Sequence, residues 1–296
     1  MTILLTGATG YIGSAVLDAL LADGHDVHAV VRSQSAAERV VARGATPIIG
    51  DVTDVAWFAA ALAGADGAIH AAAPDSDAEA FNTAVVDAAI RAYAGTGRRF
   101  VLTSGVWEFG AGEIADDDPV APPALVAWRV PIEERLLASE VDAVVLAPGV
   151  VHGHGKGLVN LVVDAPVTEA GELSLIGDGE QRWSLVHVDD LARLYVVALT
   201  NVDASGRVIA VDGSPTTVRA IAEAAAAASG AGGVVGEGVE ATRERLGAAF
   251  ADALLLDQAA DGAKARSLGW EPRHASVLDE LARSQASDDS LEESAA

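Results

Sequence analysis

The segment Ile3-Leu4-Leu5-Thr6-Gly7-Ala8-Thr9-Gly10-Tyr11-Ile12-Gly13 decides the fold of this chain. Its apolar start predicts a buried β-strand, and the amphipathic stretch at 14–22 predicts a helix directly after the glycines. Glycines at this junction let backbone N–H groups approach a phosphate closely, while the helix directs its positive end toward the same charge. The spacing is GxxGxxG rather than GxGxxG, and its place between a strand and a helix indicates a pyrophosphate-binding turn rather than a turn that binds nothing.

The end of the second predicted strand indicates which dinucleotide this turn binds. That strand is predicted at 26–31, and Arg32 and Ser33 follow it, where many dinucleotide-binding folds carry an acidic residue for the adenosine ribose. A guanidinium can instead hold the 2′-phosphate of NADP(H) through paired hydrogen bonds. The alternative is a solvated arginine at a strand end. We expect the phosphate contact, because the usual carboxylate is missing.

Composition limits the classes of protein to which the chain can belong. Its 296 residues suffice for one large α/β domain with an appended lobe. The net charge of −24 argues against nucleic acid and anionic membranes as partners. The absence of cysteine excludes disulfides and thiolate chemistry. No apolar run reaches the length of a membrane span, and the first residues form a strand rather than a signal peptide, so we expect a cytoplasmic protein.

Strand and helix patterns alternate through the first half of the chain. Strands are predicted at 47–49, 67–70, 99–103 and 143–146, and helices at 55–63, 77–93 and 123–139. This alternation predicts an α/β fold with a Rossmann-type doubly wound parallel sheet. Ligands of such a sheet bind beyond the carboxyl ends of its strands.

Beyond residue 150 the alternation breaks. The patterns predict a glycine and histidine loop at 151–156, a short strand and turn at 172–182, a helix that ends near residue 200, a last core strand at 207–211, and helices at 216–229 and 241–261. We expect residues 1–150 plus about 183–213 to form the dinucleotide-binding core. Residues 151–182 and 214–283 then form a smaller C-terminal substrate-binding lobe, and the acidic residues 284–296 form a disordered tail.

Motifs along the chain resemble those of the extended and atypical short-chain dehydrogenases/reductases, the NAD-dependent epimerase/dehydratase family. They are the turn at 6–13, Gly50-Asp51-Val52, Ala71-Ala72-Ala73, Leu102-Thr103-Ser104, the segments 148–153 and 183–190, and Leu268-Gly269-Trp270-Glu271-Pro272. The resemblance implies that residues 51 and 52 border the adenine and that 103 and 148–151 approach the nicotinamide. Together with the glycine turn it assigns the cofactor contacts to Gly7, Thr9, Gly10, Tyr11, Ile12, Gly13, Arg32, Ser33, Asp51, Val52, Ala71, Ala72, Ala73, Thr103, Arg129, Pro148, Val150 and Val151.

The catalytic signature of that family is incomplete here. Its members typically carry Tyr-x-x-x-Lys on the helix after the serine-bearing strand, with a glutamate four residues beyond the lysine. Aligning that glutamate on Glu133 places Arg129 at the lysine position and Leu125 at the tyrosine position. None of the three tyrosines, at 11, 93 and 195, lies in this segment. The usual proton donor is therefore missing.

Three residues are candidates for the chemistry. The resemblance places Ser104 where a hydroxyl orients the substrate carbonyl, although a serine at a strand end also commonly forms a turn. Arg129 can hold the nicotinamide ribose in place of lysine, or it can pair with Glu133 one helical turn away. His152, with His154 in the same loop, can supply a proton near pH 7, or both can be solvated.

Other polar and aromatic motifs have simpler interpretations. We expect Asp189 or Asp190 to cap the helix that follows, and His187 to be a hydrogen-bonded structural residue. The tryptophans at 107, 128 and 183 either line an apolar pocket or pack in the core. We expect no metal site, because no His/Asp/Glu group has convincing ligand spacing.

Three hypotheses for function follow. The first is an NADP(H)-dependent oxidoreductase that transfers hydride to a small carbonyl or imine compound. The second is an NADP-binding epimerase, isomerase or cyclase without net redox change, and the third is a non-catalytic dinucleotide-sensing regulator. The resemblance also implies a homodimer, in which the helices at 77–93 and 123–139 pair across a two-fold axis.

Overall fold

The computed structural model describes residues 1–74, 76–274 and 276–283, so the predicted tail at 284–296 lies outside the described residues. The elements in chain order are β1 (Thr2–Thr6), α1 (Tyr11–Ala22), β2 (Asp26–Val31), α2 (Gln34–Val41), β3 (Thr46–Ile49), α3 (Val55–Ala63), β4 (Gly67–His70), α4 (Ala78–Tyr93), β5 (Arg99–Thr103), a 3-10 helix (Val106–Phe109), β6 (Gly112–Ile114), α5 (Arg129–Leu137), β7 (Asp142–Pro148), β8 (Val150–Gly153), β9 (Lys156–Gly157), α6 (Asn160–Val163), β10 (Leu173–Ser174), β11 (Arg182–Trp183), β12 (Leu185–His187), α7 (Val188–Thr200), β13 (Gly206–Ala210), β14 (Thr216–Thr217), α8 (Val218–Ser229), β15 (Val234–Val235), α9 (Val239–Leu246), α10 (Ala248–Leu254), β16 (Gln258–Ala260) and α11 (Ala263–Ser267). The backbone at 277–283 is also helical.

Seven parallel strands form the central sheet, in the order β13-β7-β5-β4-β1-β2-β3. The strand order reverses at β1, which pairs with β2 on one side and with β4 on the other. This arrangement confirms the predicted Rossmann-type doubly wound sheet. The reversal point is where such sheets bind ligands, because the following loops diverge and leave a crevice between them.

Helices cover both faces of the sheet. On one face α1, α2 and α7 bury apolar side chains that include Leu17, Leu20 and Leu191. On the other face α3, α4 and α5 bury Phe58 and Tyr93 among others. Each large apolar side chain that is fully buried contributes about 1.5–3 kcal/mol to folding. No helix in the described part of the chain is both long and apolar enough to cross a membrane.

A smaller apolar cluster lies in the C-terminal part of the chain, around Trp183, whose indole N–H donates to the carbonyl of Leu254 at 2.9 Å. The single helix predicted at 241–261 is wrong. Gly247, with φ 83°, separates α9 from α10, and β16 then pairs with β6. The loop predicted at 151–156 is also wrong, because β8 and β9 pair there as an antiparallel hairpin.

Helix α5 begins at Arg129, six residues later than the predicted start at 123. Pro131 is the third residue of α5, within the first turn, where the missing proline N–H costs no helical hydrogen bond. A helix that began at 123 would place the proline in its interior, where the ring would clash with the carbonyl of residue 127. Residues 124–128 accordingly form turns.

Candidate functional site

The glycine turn between β1 and α1 lets other groups come close to its backbone. Gly7 has φ 78°, which glycine adopts without strain, and a Cβ at this position would lie 2.5 Å from the carbonyl oxygen of Ala71. A Cβ on Gly13 would overlap the carbonyl group of Gly7. Gly10 caps α1 without a side-chain hydrogen bond, so backbone N–H groups of the first turn remain for an anion. The turn fits the pyrophosphate of a dinucleotide.

Hydrogen bonds fix the end of β4 beside this turn. The Thr6 hydroxyl lies 2.8 Å from Nδ1 of His70, and it accepts from the backbone N–H of Ala72 at 3.3 Å. Burial, with a smaller effect from Arg129, lowers the pKa of His70 to about 3, so its ring is neutral. The predicted residues 71–73 therefore border the same crevice as the glycines.

The ends of β2 and β3 meet at the same edge of the sheet. The Ser33 hydroxyl accepts from the backbone N–H of Ala36 at 3.2 Å and caps α2. Asp51 accepts from the backbone N–H and the hydroxyl of Thr53, and these bonds, together with the charge of Arg32, lower the pKa of its carboxyl group. Arg32 and Asp51 thus lie near each other, as the predicted adenosine site requires.

A cavity of about 300 Å³ separates the glycine turn from α2. Thr9 lines it on the side of the turn, and Arg39 and Arg43 line it on the opposite side. Arg43 also pairs with Asp18 of α1. Two arginines therefore line this cavity beside the glycine turn, and Asp18 balances the charge of one of them.

Four predicted cofactor residues have additional structural contacts. Ile12 packs against the core beneath α1, while Val52 and Val151 are buried in apolar clusters. The Tyr11 hydroxyl donates to the carbonyl of Gly153 at 2.9 Å, and burial raises the pKa of this tyrosine. The glycine turn is thereby connected to the β8–β9 hairpin.

A second cavity, of about 180 Å³, opens at the carboxyl ends of β5 and β7. Ser104 and Arg129 are its polar and charged side chains, and the remaining lining residues are Gly105, Val106, Trp107, Val126, Pro148, Gly149, Val150 and Leu158. The structure thus brings together two of the three predicted catalytic residues with two predicted cofactor residues, at positions 148 and 150. His152 is not among these lining residues.

The two polar residues of this cavity differ in their hydrogen bonding. The Ser104 hydroxyl is buried and has no hydrogen-bond partner among the described residues. Arg129 donates from Nη1 to the carbonyl of Thr103 at 3.3 Å, and its guanidinium stacks over the Trp128 ring at 4.7 Å. Burial lowers the pKa of Arg129, but an arginine keeps its charge in proteins. Arg129 is a fixed cation, and Ser104 is an available hydroxyl.

Tyr195, one of the three tyrosines outside the family signature, lies behind this edge of the sheet. The Thr103 hydroxyl donates to the carbonyl of His70 at 2.6 Å, so the Tyr195 hydroxyl, also 2.6 Å away, donates to Thr103. Tyr195 is fully buried, and this burial raises its pKa. Its proton is committed to Thr103, so Tyr195 does not replace the missing family tyrosine.

The sequence analysis also missed Glu108, which follows Ser104 by four residues and is fully buried. Neither of its carboxyl oxygens has a hydrogen-bond partner among the described residues. The available signal was a single carboxyl group in the otherwise apolar run from Val106 to Phe109. A charged residue type is almost never fully buried without a partner.

His152 lies in a separate cluster of histidines. Its Nδ1 is 3.2 Å from a carboxylate oxygen of Glu280, and its ring meets that of His187 edge to face at 5.4 Å. Burial lowers the pKa of His152 to about 4, so the ring is neutral at pH 7. The structure therefore does not bring His152 to the cavity that contains Ser104.

The predicted cap of α7 is wrong. Its N-cap residue is His187, whose Nδ1 accepts from the backbone N–H of Asp189 at 3.2 Å, while Asp189 and Asp190 lie in the first turn. The ligand atoms of His154, His187 and Asp189 lie within 4.8 Å of one another. Both ring nitrogens of His187 are already engaged, because Nε2 faces Glu280 at 3.3 Å. This geometry favours a hydrogen-bonded cluster over a metal centre.

Comparisons with known proteins show the family to which the chain belongs. A protein family described as NAD(P)H-binding matches residues 7–176. An uncharacterized protein of Schizosaccharomyces pombe, C2A9.02, is 28% identical over 95% of this chain and 98% of its own length. A 3-diazoavenalumate denitrifying reductase of a Streptomyces species is 29% identical over 96% of this chain and 100% of its own. A 2-alkyl-3-oxoalkanoate reductase of Stenotrophomonas maltophilia is 32% identical over 67% of this chain and 65% of its own length.

Solved structures show the same fold. MoeE5, in complex with UDP-glucose and NAD, superposes with a TM-score of 0.74 at 21% identity, covering 98% of this chain and 100% of its own. The human epimerase family protein SDR39U1, with NADPH, gives a TM-score of 0.69 at 22% identity, covering 96% and 99%. The chain belongs to the NAD(P)H-binding family and has the fold of the extended short-chain dehydrogenases/reductases.

Proposed function

We propose that this protein is an NADP(H)-dependent oxidoreductase that transfers hydride to a small carbonyl or imine compound. The observation that carries the proposal is the cavity of about 180 Å³, in which the buried Ser104 hydroxyl lies among apolar walls beside the Arg129 cation. An orphaned hydroxyl in an apolar cavity is suited to hold a carbonyl oxygen.

The size of this cavity supports a small substrate. Ligand pockets for drug-sized molecules usually measure about 300–1,000 Å³, so a cavity of about 180 Å³ suits a smaller compound. Arg182 is not available to hold a diphosphate, because it pairs with Asp257 and Glu113 at 2.8 and 2.7 Å. Both observations argue against a nucleotide-sugar substrate.

Positive charge near the adenosine end supports NADP(H) over NAD(H). Arg32 follows β2 at the position where many dinucleotide-binding folds carry an acidic residue, and Arg39 and Arg43 line the neighbouring cavity. A 2′-phosphate gains charge-assisted hydrogen bonds from such a group, whereas a 2′-hydroxyl gains much less.

Each residue of the site has a stated role in this proposal. NADPH, when bound, supplies the hydride. Ser104 donates a hydrogen bond to the substrate oxygen and so orients the carbonyl. Arg129 holds the nicotinamide ribose and does not supply protons, because its guanidinium stays protonated at neutral pH. A protonated imine needs no proton donor from the protein at all.

The proposal extends to assembly and location. Helices α4 and α5 lie on the same face of the sheet and bury side chains in one shared cluster. We propose that their outer surfaces pair across a two-fold axis to form a homodimer. We also propose a cytoplasmic protein that acts on a small molecule.

The test is a screen of NADPH consumption against ketones, aldehydes and cyclic imines. The Ser104→Ala variant is expected to lower kcat roughly tenfold to a hundredfold, the range of one lost transition-state hydrogen bond, with NADPH affinity unchanged. Ser205→Ala, at an exposed position, is the matched control and retains full activity. Arg129→Ala mainly weakens NADPH binding.

Two outcomes would replace the proposal with the alternatives. An isomerised product without net NADPH oxidation would identify an epimerase, isomerase or cyclase. Tight NADPH binding with neither turnover nor isomerisation would identify a dinucleotide-sensing regulator.

A further inference from the structure

A single large aromatic side chain, that of Trp107, forms part of the wall of the substrate cavity. The same wall includes Val150 and Leu158, and the hydroxyl of Ser104 lies in the same cavity. Trp107 follows Ser104 by three positions, in the 3-10 helix Val106–Phe109. The turn that presents the hydroxyl therefore also presents the largest apolar side chain of the wall.

Hydrogen bonds fix the backbone on both sides of Trp107. The side-chain amide of Gln258 is buried and donates to the carbonyls of Val106 and Gly110. The backbone N–H of Gly110 donates to the carbonyl of Trp107 at 3.1 Å. Gln258 itself lies on β16, which pairs with β6. The backbone of the 3-10 turn therefore cannot carry Trp107 away from the cavity without breaking these bonds.

The indole ring of Trp107 is held from the other side by α10. The ring of Phe250 meets it edge to face, with ring centroids 6.2 Å apart and the ring planes at 68°, which is a favoured arrangement of aromatic pairs. Both rings are half-buried, and they pack against the apolar cluster around Trp183, as does Leu158 of the cavity wall. A rotation of the indole out of the cavity wall would lose these contacts. The cavity therefore has a fixed boundary on this side.

An apolar wall in a fixed position discriminates among substrates by their size. A hydroxyl that holds the carbonyl oxygen anchors one end of the substrate, so a substituent directed toward the indole must fit the space that remains. Overfilling a well-packed apolar site forces side chains out of their preferred conformations. One methylene group in an apolar pocket changes the relative rate by about 10–200-fold.

We propose, resting on the reductase function above, that Trp107 is the residue that limits the size of the substrate. The carbonyl oxygen accepts a hydrogen bond from Ser104, and the apolar substituent of the carbonyl carbon lies against the indole ring. The substrate class is therefore compact apolar ketones and aldehydes. Compounds that carry an aromatic ring on this substituent are excluded. Trp107 determines specificity by contact and takes no part in the transfer of hydride or proton.

The first test compares two substrates by their kcat/KM values at one NADPH concentration. One is a small ketone or aldehyde found by the NADPH screen, and the other is its analogue with a phenyl group in place of one alkyl group. The wild type is expected to prefer the small compound at least about a hundredfold, and Trp107→Ala is expected to lower this preference at least about tenfold. Trp107→Phe is expected to lie between them. An unchanged preference in Trp107→Ala would overturn the size limit and leave the reductase function intact.

Two further variants separate the cavity wall from general effects on the fold. Trp57→Leu truncates a half-buried tryptophan of α3 that packs on the sheet and does not line this cavity. It is expected to leave the preference unchanged, since a change in NADPH binding affects both substrates equally. Phe250→Leu removes the ring that supports the indole, and it is expected to relax the size limit in part.

Melting temperatures verify that each variant folds. Trp107→Leu, which keeps an apolar side chain at this position, repeats the comparison if the alanine variant does not fold. A shift in preference as large for Trp57→Leu as for the variants of Trp107 would overturn the proposal.

Unreactive amides test the size limit without turnover. Their carbonyl oxygen accepts a hydrogen bond, but an amide does not take hydride from a nicotinamide. Saturation-transfer NMR with NADPH present is expected to detect propionamide but not benzamide on the wild type, and to detect benzamide on Trp107→Ala. Equal binding of both amides to the wild type, or no gain of benzamide binding in the variant, would overturn the size limit. Size-selective amide binding by a protein that reduces no compound of the screen would refute the reductase function alone.

Discussion

Replacing Arg207 with methionine is expected to destabilise the protein more than loss of any surface ion pair. The guanidinium lies 3.2 Å from a Glu133 oxygen and 3.6 Å from a Glu108 oxygen. At an effective dielectric constant of about 20, each contact between full charges is worth about 5 kcal/mol before desolvation is subtracted. Burial raises the pKa of Glu108 to about 9, so at pH 7 the pair with Glu133 supplies most of this attraction. Removing one partner of such a buried pair costs roughly 3–5 kcal/mol.

The loss is expected to depend on pH with a definite sign. Without the guanidinium, the pKa of Glu108 rises further above its usual value. A carboxyl with a raised pKa contributes stability at low pH that is lost as pH rises. Below about pH 9 Glu108 is protonated with or without the guanidinium, so the free energy lost on Arg207→Met is expected to grow above that pH and to be larger at pH 10 than at pH 7.

Urea denaturation at both pH values measures this difference. Arg135→Met is the matched control, because Arg135 pairs with Asp87 at 2.8 Å while both side chains are more than 40% exposed. Such a pair contributes at most about 1 kcal/mol. A loss below about 1 kcal/mol for Arg207→Met would refute the buried ion pair with Glu133, and an equal loss at both pH values would refute the influence of Arg207 on Glu108.

Three other perturbations test the remaining features, together with the assembly of the chain. Arg32→Ala is expected to weaken NADPH binding about tenfold to a hundredfold, because charge-assisted hydrogen bonds are worth roughly 1.5–3 kcal/mol. NADH affinity is expected to change little, and calorimetry with both cofactors measures the two effects. Gly7→Ala is expected to lower the melting temperature and abolish NADPH binding, because its Cβ would lie 2.5 Å from the Ala71 oxygen at φ 78°; equal binding would contradict the assigned turn. Raising the pH from 6 to 8 should leave the NMR signals of the His152 ring unmoved, because its pKa is about 4, and a titration in that range would contradict its burial. Sedimentation should show twice the chain mass of 30.0 kDa, and a single monomer peak at micromolar concentration would exclude the homodimer.

Sequence patterns predicted correctly those elements whose structure depends on residues close together in the chain. The predicted helix at 55–63 and the strands at 67–70 and 99–103 are observed with those bounds, because each is an apolar run delimited by polar or glycine residues. The glycine turn could be predicted in the same way. Contacts within the turn and with the chain after β4 leave no room for a Cβ atom at Gly7 or Gly13. Ser104 and Arg129 line one cavity, and their roles toward the substrate carbonyl and the nicotinamide ribose stay predictions.

Such patterns do not predict strand pairs or ion pairs whose members lie far apart in the chain. The segment 258–260 continues an apolar helical pattern, and only its partner β6, more than 140 residues earlier, makes it a strand. His152 looked like a loop residue because the hairpin that buries it forms through pairing with β9 and β12. Glu108 could be noticed as an isolated carboxyl group, but its counterion Arg207 lies on a strand 99 positions away.

The position of Pro131 restricts how this site can change through evolution. Residues four apart share a face only within a helix, and the residues at 124–128 are not helical because α5 begins at Arg129. A tyrosine introduced at Leu125 would therefore not lie above residue 129 in the way the family signature requires. Introducing the tyrosine–lysine pair of the family signature would need at least three substitutions, at positions 125, 129 and 131. The tyrosine alone would not reach the place that the signature gives it, because the helix that should carry it does not extend to position 125.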